Sequence, residues 1–493
     1  RRLAGRVKRI PFQKYAILQE LEEERDVDIR RETGERSDHL FYQLRQDGNG
    51  KWLFVCHVNR KRNNVSRPER LSVRIRGAYQ VTVYDALSGN CTAAESVKKD
   101  GWTCLTVDLY AEDSFLWRLD EHNAQQAADE EAQIPGVSGK QEKTIIPEAA
   151  RPLREGRPAA VYGLVAGPFR SAGKKGTMVY CIEEPDGFTM AEPNVLLLDR
   201  AQWKLNGGEW QAEEDILRID NHIRALLGYP RRQDAFIQPW RVRETPEKDV
   251  VTLCIKMESR VETGSLMLAL ERPEKIRIRW NGISCPLPKR EETGWFTDTF
   301  IRTVSVPGLK KGENELLLEV PFGQKTNLEN LFLLGEFGVC VLGTKSLVTA
   351  APTELAFGDI TRQGLPFYGG SITYSMHFEM DREKDILVKV PHFTAPVLEV
   401  WIDGKSAGLI AFAPHTLSLG RVAAGRHSLE ICACGNRFNS FGTLHNCNEE
   451  FKWYGPDSYR TVGDEWSEAW CLRPFGILSR VEIWEGDREH GDK

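Results

Sequence analysis

The residues best suited to chemistry lie near the end of the chain. The run Gly435-Asn436-Arg437-Phe438-Asn439-Ser440-Phe441-Gly442 is dense in polar groups and sits between two apolar segments. Asn436, Arg437 and Asn439 suit vicinal hydroxyls, because an amide offers both donor and acceptor and a guanidinium a planar fork of donors. The loop from Asn446 to Ser467 adds Phe451, Trp453, Tyr454, Tyr459 and Trp466. Exposed rings present an apolar platform to the C–H face of a pyranose, with polar groups at the rim. Both groups also have a structural reading. Tight turns favour Gly and Asn for their own reasons, Arg437 can bridge loops, and the rings can cover a sheet end or pack on a neighbouring domain. The candidate carbohydrate-binding set is therefore Asn436, Arg437, Asn439, Trp453, Tyr454, Tyr459 and Trp466.

Hydrolysis of a glycosidic bond needs two carboxylates, about 5–5.5 Å apart for retention or 6.5–9.5 Å for inversion. Most of the seventy-one acidic residues lie in charged runs such as Glu22-Glu23-Glu24 or at turns. Asp298 in GWFTDTF, Glu336 in LLGEFGV and Asp359 in FGDITRQG have apolar surroundings. The same setting suits a hydrogen-bond acceptor at a strand end, so no catalytic residue is assigned. No glycine-rich phosphate loop precedes a helix, and neither a G-x-S-x-G elbow nor an H-E-x-x-H pair occurs. No cofactor is expected.

The eleven cysteines are dispersed, without a C-x-x-C pair or zinc spacing, and the ten histidines are scattered too. Cys432 and Cys434 fall on one face of a strand, which suits packing better than bridging. The expectation is free thiols in a cytoplasmic protein and no metal. A net charge of −5 with both signs interspersed argues against nucleic acid, which needs a basic face. No run of about 18 apolar residues supports a membrane span. The chain opens on Arg1-Arg2-Leu3 without a following apolar core, which reads as a piece of a longer protein and not as a secretory signal.

The elements that would position these residues are strands. From Leu266 to Val339 the chain alternates apolar and polar residues, in runs closed by Asn281-Gly282, Pro307-Gly308 and Lys311-Gly312. Such period-two runs mark half-buried antiparallel strands. The pattern returns over Ile386–Cys434, with turns at Asp403-Gly404-Lys405 and Ala424-Gly425-Arg426. Earlier, FYQLRQDGNGKWLFVCHVNR reads as a hairpin turning at Asp47-Gly48-Asn49-Gly50. One helix is predicted over Glu213–Leu227, with Ile216, Ile219, Ile223, Leu226 and Leu227 on one face, Gly228 as its cap and Pro230 beyond.

The order of strand, Asn-Gly hairpin, Gly-Trp-Phe strand and Lys-Gly-Glu-Asn turn resembles the sugar-binding jelly roll of family 2 glycoside hydrolases. LFVCHVNR followed by GAYQVTVYDALSGN resembles the β-domain that follows the catalytic barrel in large bacterial glycoside hydrolases, the family 106 α-L-rhamnosidase-like group among them. PFYGGSITY, GNRFNSFGTLHN and WSEAWCLRPFGIL are similar to the terminal galactose-binding-like domain of the same proteins. The resemblance implies a mainly β fold of tandem β-sandwich and galactose-binding-like jelly-roll domains with a short helical segment. The implied division is 1–37 as a helical connector, 38–119 as a β-sandwich, and 120–157 as a linker or long loop. A mixed β segment with one helix over 158–244 precedes a first jelly roll over 245–343, a second over 344–485 and a tail over 486–493. The function implied is the non-catalytic, carbohydrate-associated C-terminal region of a bacterial glycoside hydrolase. Its partners are the upstream catalytic domain and, where it touches substrate, an oligosaccharide or polysaccharide. The alternative is a structural or interaction protein without sugar affinity.

Overall fold

The computed structural model describes residues 9–22, 24–37, 39–48, 50–58, 68–85, 91–110, 113–121, 177–232, 246–286, 289, 292–448 and 455–485. Among these, 51% lie in strands and 9% in helices, which makes the protein mainly β. The strands form six sheets, which pack around three separate apolar cores.

The N-terminal sandwich packs the sheet of Val27–Arg31, Glu69–Arg76, Trp102–Leu109 and Val97–Lys99 on a five-stranded sheet running from Leu40–Asp47 to Cys91–Ala93. Alternation drives it. In Glu69–Arg76, Leu71, Val73 and Ile75 are fully buried while Ser72 and Arg74 face outward. Each such burial stabilises the fold by about 1.5–3 kcal/mol. The expected hairpin forms with Asp47 opposite Gly50. One expectation changes: 1–37 is more than a helical connector. After a short helix, Lys14–Glu20, the segment Val27–Arg31 pairs with Glu69–Arg76 as an edge strand. Only Val27 and Ile29 are apolar there, too short a signal to stand out beside the preceding Glu and Arg run.

The central sandwich faces the sheet of Asn194–Leu198, Leu331–Gly335, Leu266–Glu271, Asp298–Val306 and Gly294–Phe296 against one built on Arg200–Leu205, Asp249–Ser259, Gly312–Phe322 and Arg277–Trp280. Asn281 and Gly282 both have positive φ (48° and 80°) and place Trp280 opposite Ile283, the tight hairpin that their types favour. After the Gly-Trp-Phe strand the chain turns back at Thr297 (φ 63°) and forms a hairpin with Phe296 opposite Asp298. Threonine is not a usual left-handed residue, so the sequence carries no signal for this turn. The helix begins at Ile216 and not at Glu213. Asp215 caps it by accepting from Arg218 N at 3.0 Å, and Gly228 (φ 70°) ends it.

The terminal sandwich joins two separated pieces of chain. Met178–Ile182 pairs with Val481–Glu485, and Gly187–Met190 pairs with Ile372–Met380. The chain then leaves to build the central sandwich and returns after Lys345–Thr349, which pairs with Gly338–Leu342 and with Asp249–Ser259. The described part of the expected mixed segment, 177–232, is thus shared between two sandwiches, and the strand Lys345–Thr349 pairs on the central side of the expected boundary at 343. Periodicity reports that a segment is a strand, whereas its partner is fixed by long-range packing that no local pattern contains. No helix among the described residues is long and apolar enough to cross a membrane.

Candidate functional site

The described stretches 435–448 and 455–475 run along the seam between the central and terminal sandwiches, and they contain most of the predicted polar and aromatic groups. Asn436 Oδ1 accepts from Phe438 N at 3.0 Å. Arg437 makes a two-pronged ion pair with Glu192, one bond being 2.8 Å, and lies 5.6 Å over the Phe296 ring. Asn439 is buried, and both ends of its amide bond the backbone of Arg473, at 2.8 and 2.9 Å. The Tyr459 hydroxyl donates to Phe441 O at 2.9 Å. Trp466 stacks on His445 with ring centres 4.7 Å apart, carries the Arg218 guanidinium 3.7 Å from its ring centre and donates to Glu468 at 3.0 Å. Phe451, Trp453 and Tyr454 lie outside the described residues. In the structure, then, the polar groups of Arg437, Asn439, Tyr459 and Trp466 bond neighbouring parts of the same chain.

Beneath this loop is a polar centre that sequence reasoning did not find. His445 Nδ1 donates to Ser467 O at 2.7 Å, a carbonyl that can only accept, so Nδ1 carries a proton. Its Nε2 lies 3.1 Å from Asp199 Oδ2, which also accepts from Trp470 Nε1 at 2.7 Å. Burial alone would lower the imidazole pKa; the hydrogen bond and charge of Asp199 outweigh it, and His445 sits above its ordinary value. Asp215, buried beside it, is pushed up to about 6, by burial first and by the charge of Asp199 next. The void between these groups is only about 10 Å³, the size of one water and far too small for a sugar. The centre is a fastening between Asp199 on the central sandwich and His445 and Trp470 on the seam segment. The available signal was Asp199 itself, a lone acid ending the apolar run NVLLLD.

A much larger opening has Trp470 in its wall. A groove of about 510 Å³ runs between the Gly338–Leu342/Lys345–Thr349 hairpin and the loops around 359–364 and 470–474. Trp470, Asp359, Thr361, Arg362 and Thr349 line it together with apolar Val339, Val341 and Leu472. Asp359 is the acid singled out in FGDITRQG. Its Oδ1 accepts from Thr361 N (3.0 Å) and Phe475 N (3.2 Å), and its Oδ2 accepts from the Thr361 hydroxyl (2.8 Å). Arg362 stands 89% exposed, with Nε 3.9 Å from Asp359. Of the other two weighed acids, Glu336 is exposed in a turn, and Asp298 is exposed and accepts from Phe300 N at 2.8 Å. The geometry gathers a ring, a guanidinium and hydroxyls in one cleft.

No protein-family model matches this chain, and no curated protein matches it. Among solved structures it is similar to a rhamnosidase from Novosphingobium sp. PP1Y, at 11% identity over 96% of this chain and 26% of that one, with a TM-score of 0.37. A β-D-mannosidase from Dictyoglomus thermophilum matches at 15% identity over 49% of this chain and 31% of that one, with a TM-score of 0.19. A GH2 β-galacturonidase from Eisenbergiella tayi matches at 12% identity over 50% and 37%, with a TM-score of 0.17. The chain spans about a quarter of the length of the Novosphingobium enzyme.

Proposed function

We propose that this chain is a non-catalytic, carbohydrate-associated region of a glycoside hydrolase, and that it touches saccharide in the groove beside Trp470. The observation that supports this reading is the makeup of that groove. About 510 Å³ falls within the range of small-molecule sites, and Trp470, Arg362 and two threonines in one lining supply the ring, planar donors and hydroxyls that a pyranose, apolar on its faces and polar at its rim, calls for. Arg362 supplies donors only, so it suits ring and hydroxyl oxygens or a uronate. Trp470, whose Nε1 donates to Asp199 at 2.7 Å, ties one wall of the groove to the central sandwich.

Titration calorimetry with a rhamnose-bearing oligosaccharide tests the reading, with a gluco-oligosaccharide as the comparison. Binding by the native chain that Arg362→Ala weakens at unchanged melting temperature supports it. Absence of heat with both ligands, or an Arg362→Ala variant that binds equally well, sinks it. The chain is also expected to leave aryl rhamnosides intact. Turnover that disappears in Asp298→Asn, Glu336→Gln or Asp359→Asn would show a catalytic site here.

A second reading, a structural array without sugar affinity, is favoured by a separate observation. Arg437, Asn439 and Tyr459, all suited to sugar hydroxyls, spend their hydrogen bonds on Glu192, the Arg473 backbone and the Phe441 carbonyl.

A further inference from the structure

On the outer face of the terminal sandwich, three ligand-type side chains converge. Cys432 is the last residue but one of the strand Gly425–Ala433 and Cys434 lies just beyond its end, two residues on, so both sulfurs leave the same face. The neighbouring strand, Leu398–Ile402, places Glu399 directly opposite Cys432. The two Sγ atoms and a Glu399 carboxylate oxygen all lie within 4.8 Å of one another. Sequence spacing predicted no metal because it sees only Cys-x-Cys; the third ligand arrives across the sheet.

From this geometry we infer that Cys432, Cys434 and Glu399 bind a thiophilic divalent cation, Zn²⁺ by preference. Two thiolates at about 2.3 Å and a carboxylate at about 2.0–2.2 Å fill three corners of a tetrahedron whose edges fit the spacing seen. Thiolates select zinc over magnesium or calcium, which take oxygen ligands alone. The fourth corner falls to water, since the group has three donors among the described residues. The surroundings are ordered for the task. Cys432 is 9% exposed, the hydroxyls of Thr373 and Ser371 bond its sulfur, and Cys434 N donates to Val397 O at 3.1 Å.

A Cys432–Cys434 disulfide is the competing use of these sulfurs, and strand geometry opposes it. Both cysteines are free, and residues two apart in extended chain have parallel Cα–Cβ bonds, so their Cβ atoms lie roughly 6.6 Å apart like their Cα atoms, whereas a disulfide needs its Cβ atoms about 3.5–4.5 Å apart. Binding is a ligand exchange without electron transfer. Each thiol releases its proton to solvent as its sulfur donates a pair to the metal. The bound ion would tie the end of Gly425–Ala433 to Leu398–Ile402, where the chain enters the seam loop.

The test uses the reduced full chain and Co²⁺ as a spectroscopic stand-in for Zn²⁺. The expected result is one Co²⁺ per chain, with thiolate-to-cobalt charge transfer and the visible bands of a four-coordinate ion, all lost when Zn²⁺ is added. A Cys432→Ser/Cys434→Ser variant should lose these bands, and Cys447→Ser/Cys471→Ser should keep them. Glu399→Gln, which leaves both sulfurs in place, should need more Co²⁺ to reach the same absorbance. No charge-transfer band in the native chain would overturn the inference. So would a band that survives loss of Cys432 and Cys434, or a titration that Glu399→Gln leaves unchanged.

Discussion

The N-terminal sandwich and the seam between the other two each bury an acid, and the two acids meet opposite fates. Asp28, in the first strand of the N-terminal sandwich, is fully buried, with Arg25 at 3.2 Å, Arg30 at 2.9 Å and Arg74 bonded as well. Burial alone would raise its pKa, yet the hydrogen bonds and charges of Arg30 and Arg74 bring it below the ordinary carboxylate value. At the seam Asp215 is pushed up to about 6, by burial first and by a second acid, Asp199, next. Burial raises both acids; at Asp28 the hydrogen bonds and charges of its arginines overcome that rise, whereas at Asp215 the charge of Asp199 adds to it. The two regions should therefore answer pH in opposite directions.

The sign follows from linkage. Asp28 has a lowered folded pKa. Its contribution is present above its unfolded value, near pH 4, and is lost as pH falls through the folded value. His445 is raised, so its contribution is complete below about pH 6.5 and is lost as pH rises through its folded value. Asp215 acts in the same direction as His445. Its folded form holds the proton more tightly, so stability falls as pH climbs from near 4 to about 6. Acid loosens the N-terminal sandwich, and rising pH loosens the seam.

The sharpest way to break the comparison is to unfold one region alone. Trp117→Ala empties the centre of the N-terminal core and should cost about 3–5 kcal/mol there. Calorimetry should show that transition falling while the one assigned to the central and terminal sandwiches stays in place. A common shift of both would mean that the regions melt as one.

Next comes the seam. His445→Gln removes the charge between Asp199 and the Ser467 carbonyl and should cost about 1.5–3 kcal/mol, the range for hydrogen bonds to charged groups. Its melting temperature should also vary less between pH 5 and 8 than that of the native chain. An unaltered pH profile would place the seam's response on other groups. Asp28→Asn is the matching change on the other side, worth about 1–2 kcal/mol because Arg30 and Arg74, each about a third or more exposed, regain water. It should remove the acid-side loss of the first transition, and a slope unchanged from pH 5 to 3 would refute that role.

How far the sequence discloses this molecule differs between the same regions. Alternation around Leu71, Val73 and Ile75 and the turns at Asn281-Gly282 and Asp403-Gly404 are local, and each yields the strand or hairpin expected. The joining of Met178–Ile182 to Val481–Glu485 spans some three hundred residues, beyond the reach of any window. The seam centre is hidden for the same reason. Asp199, His445 and Trp470 are single polar residues in unrelated runs, and only the fold makes them neighbours. Of the residues chosen for sugar contact, Asn436, Arg437, Asn439, Tyr459 and Trp466 do gather along one segment, but turn formation and recognition draw on the same residue types. Glu399 beside Cys432 again depends on strand pairing, not on spacing.

The smallest structural effect is expected at the groove. Arg362→Ala removes a side chain that is 89% exposed and should leave both transitions where they are. The groove is also where the account is most directly tested. A crystal of the native chain soaked with a rhamnose-bearing oligosaccharide should show a sugar ring against Trp470 with an oxygen within hydrogen-bond reach of Arg362. Sugar density confined to the Asn436–Asn439 segment, or none at a concentration that saturates the calorimetric titration, would contradict it.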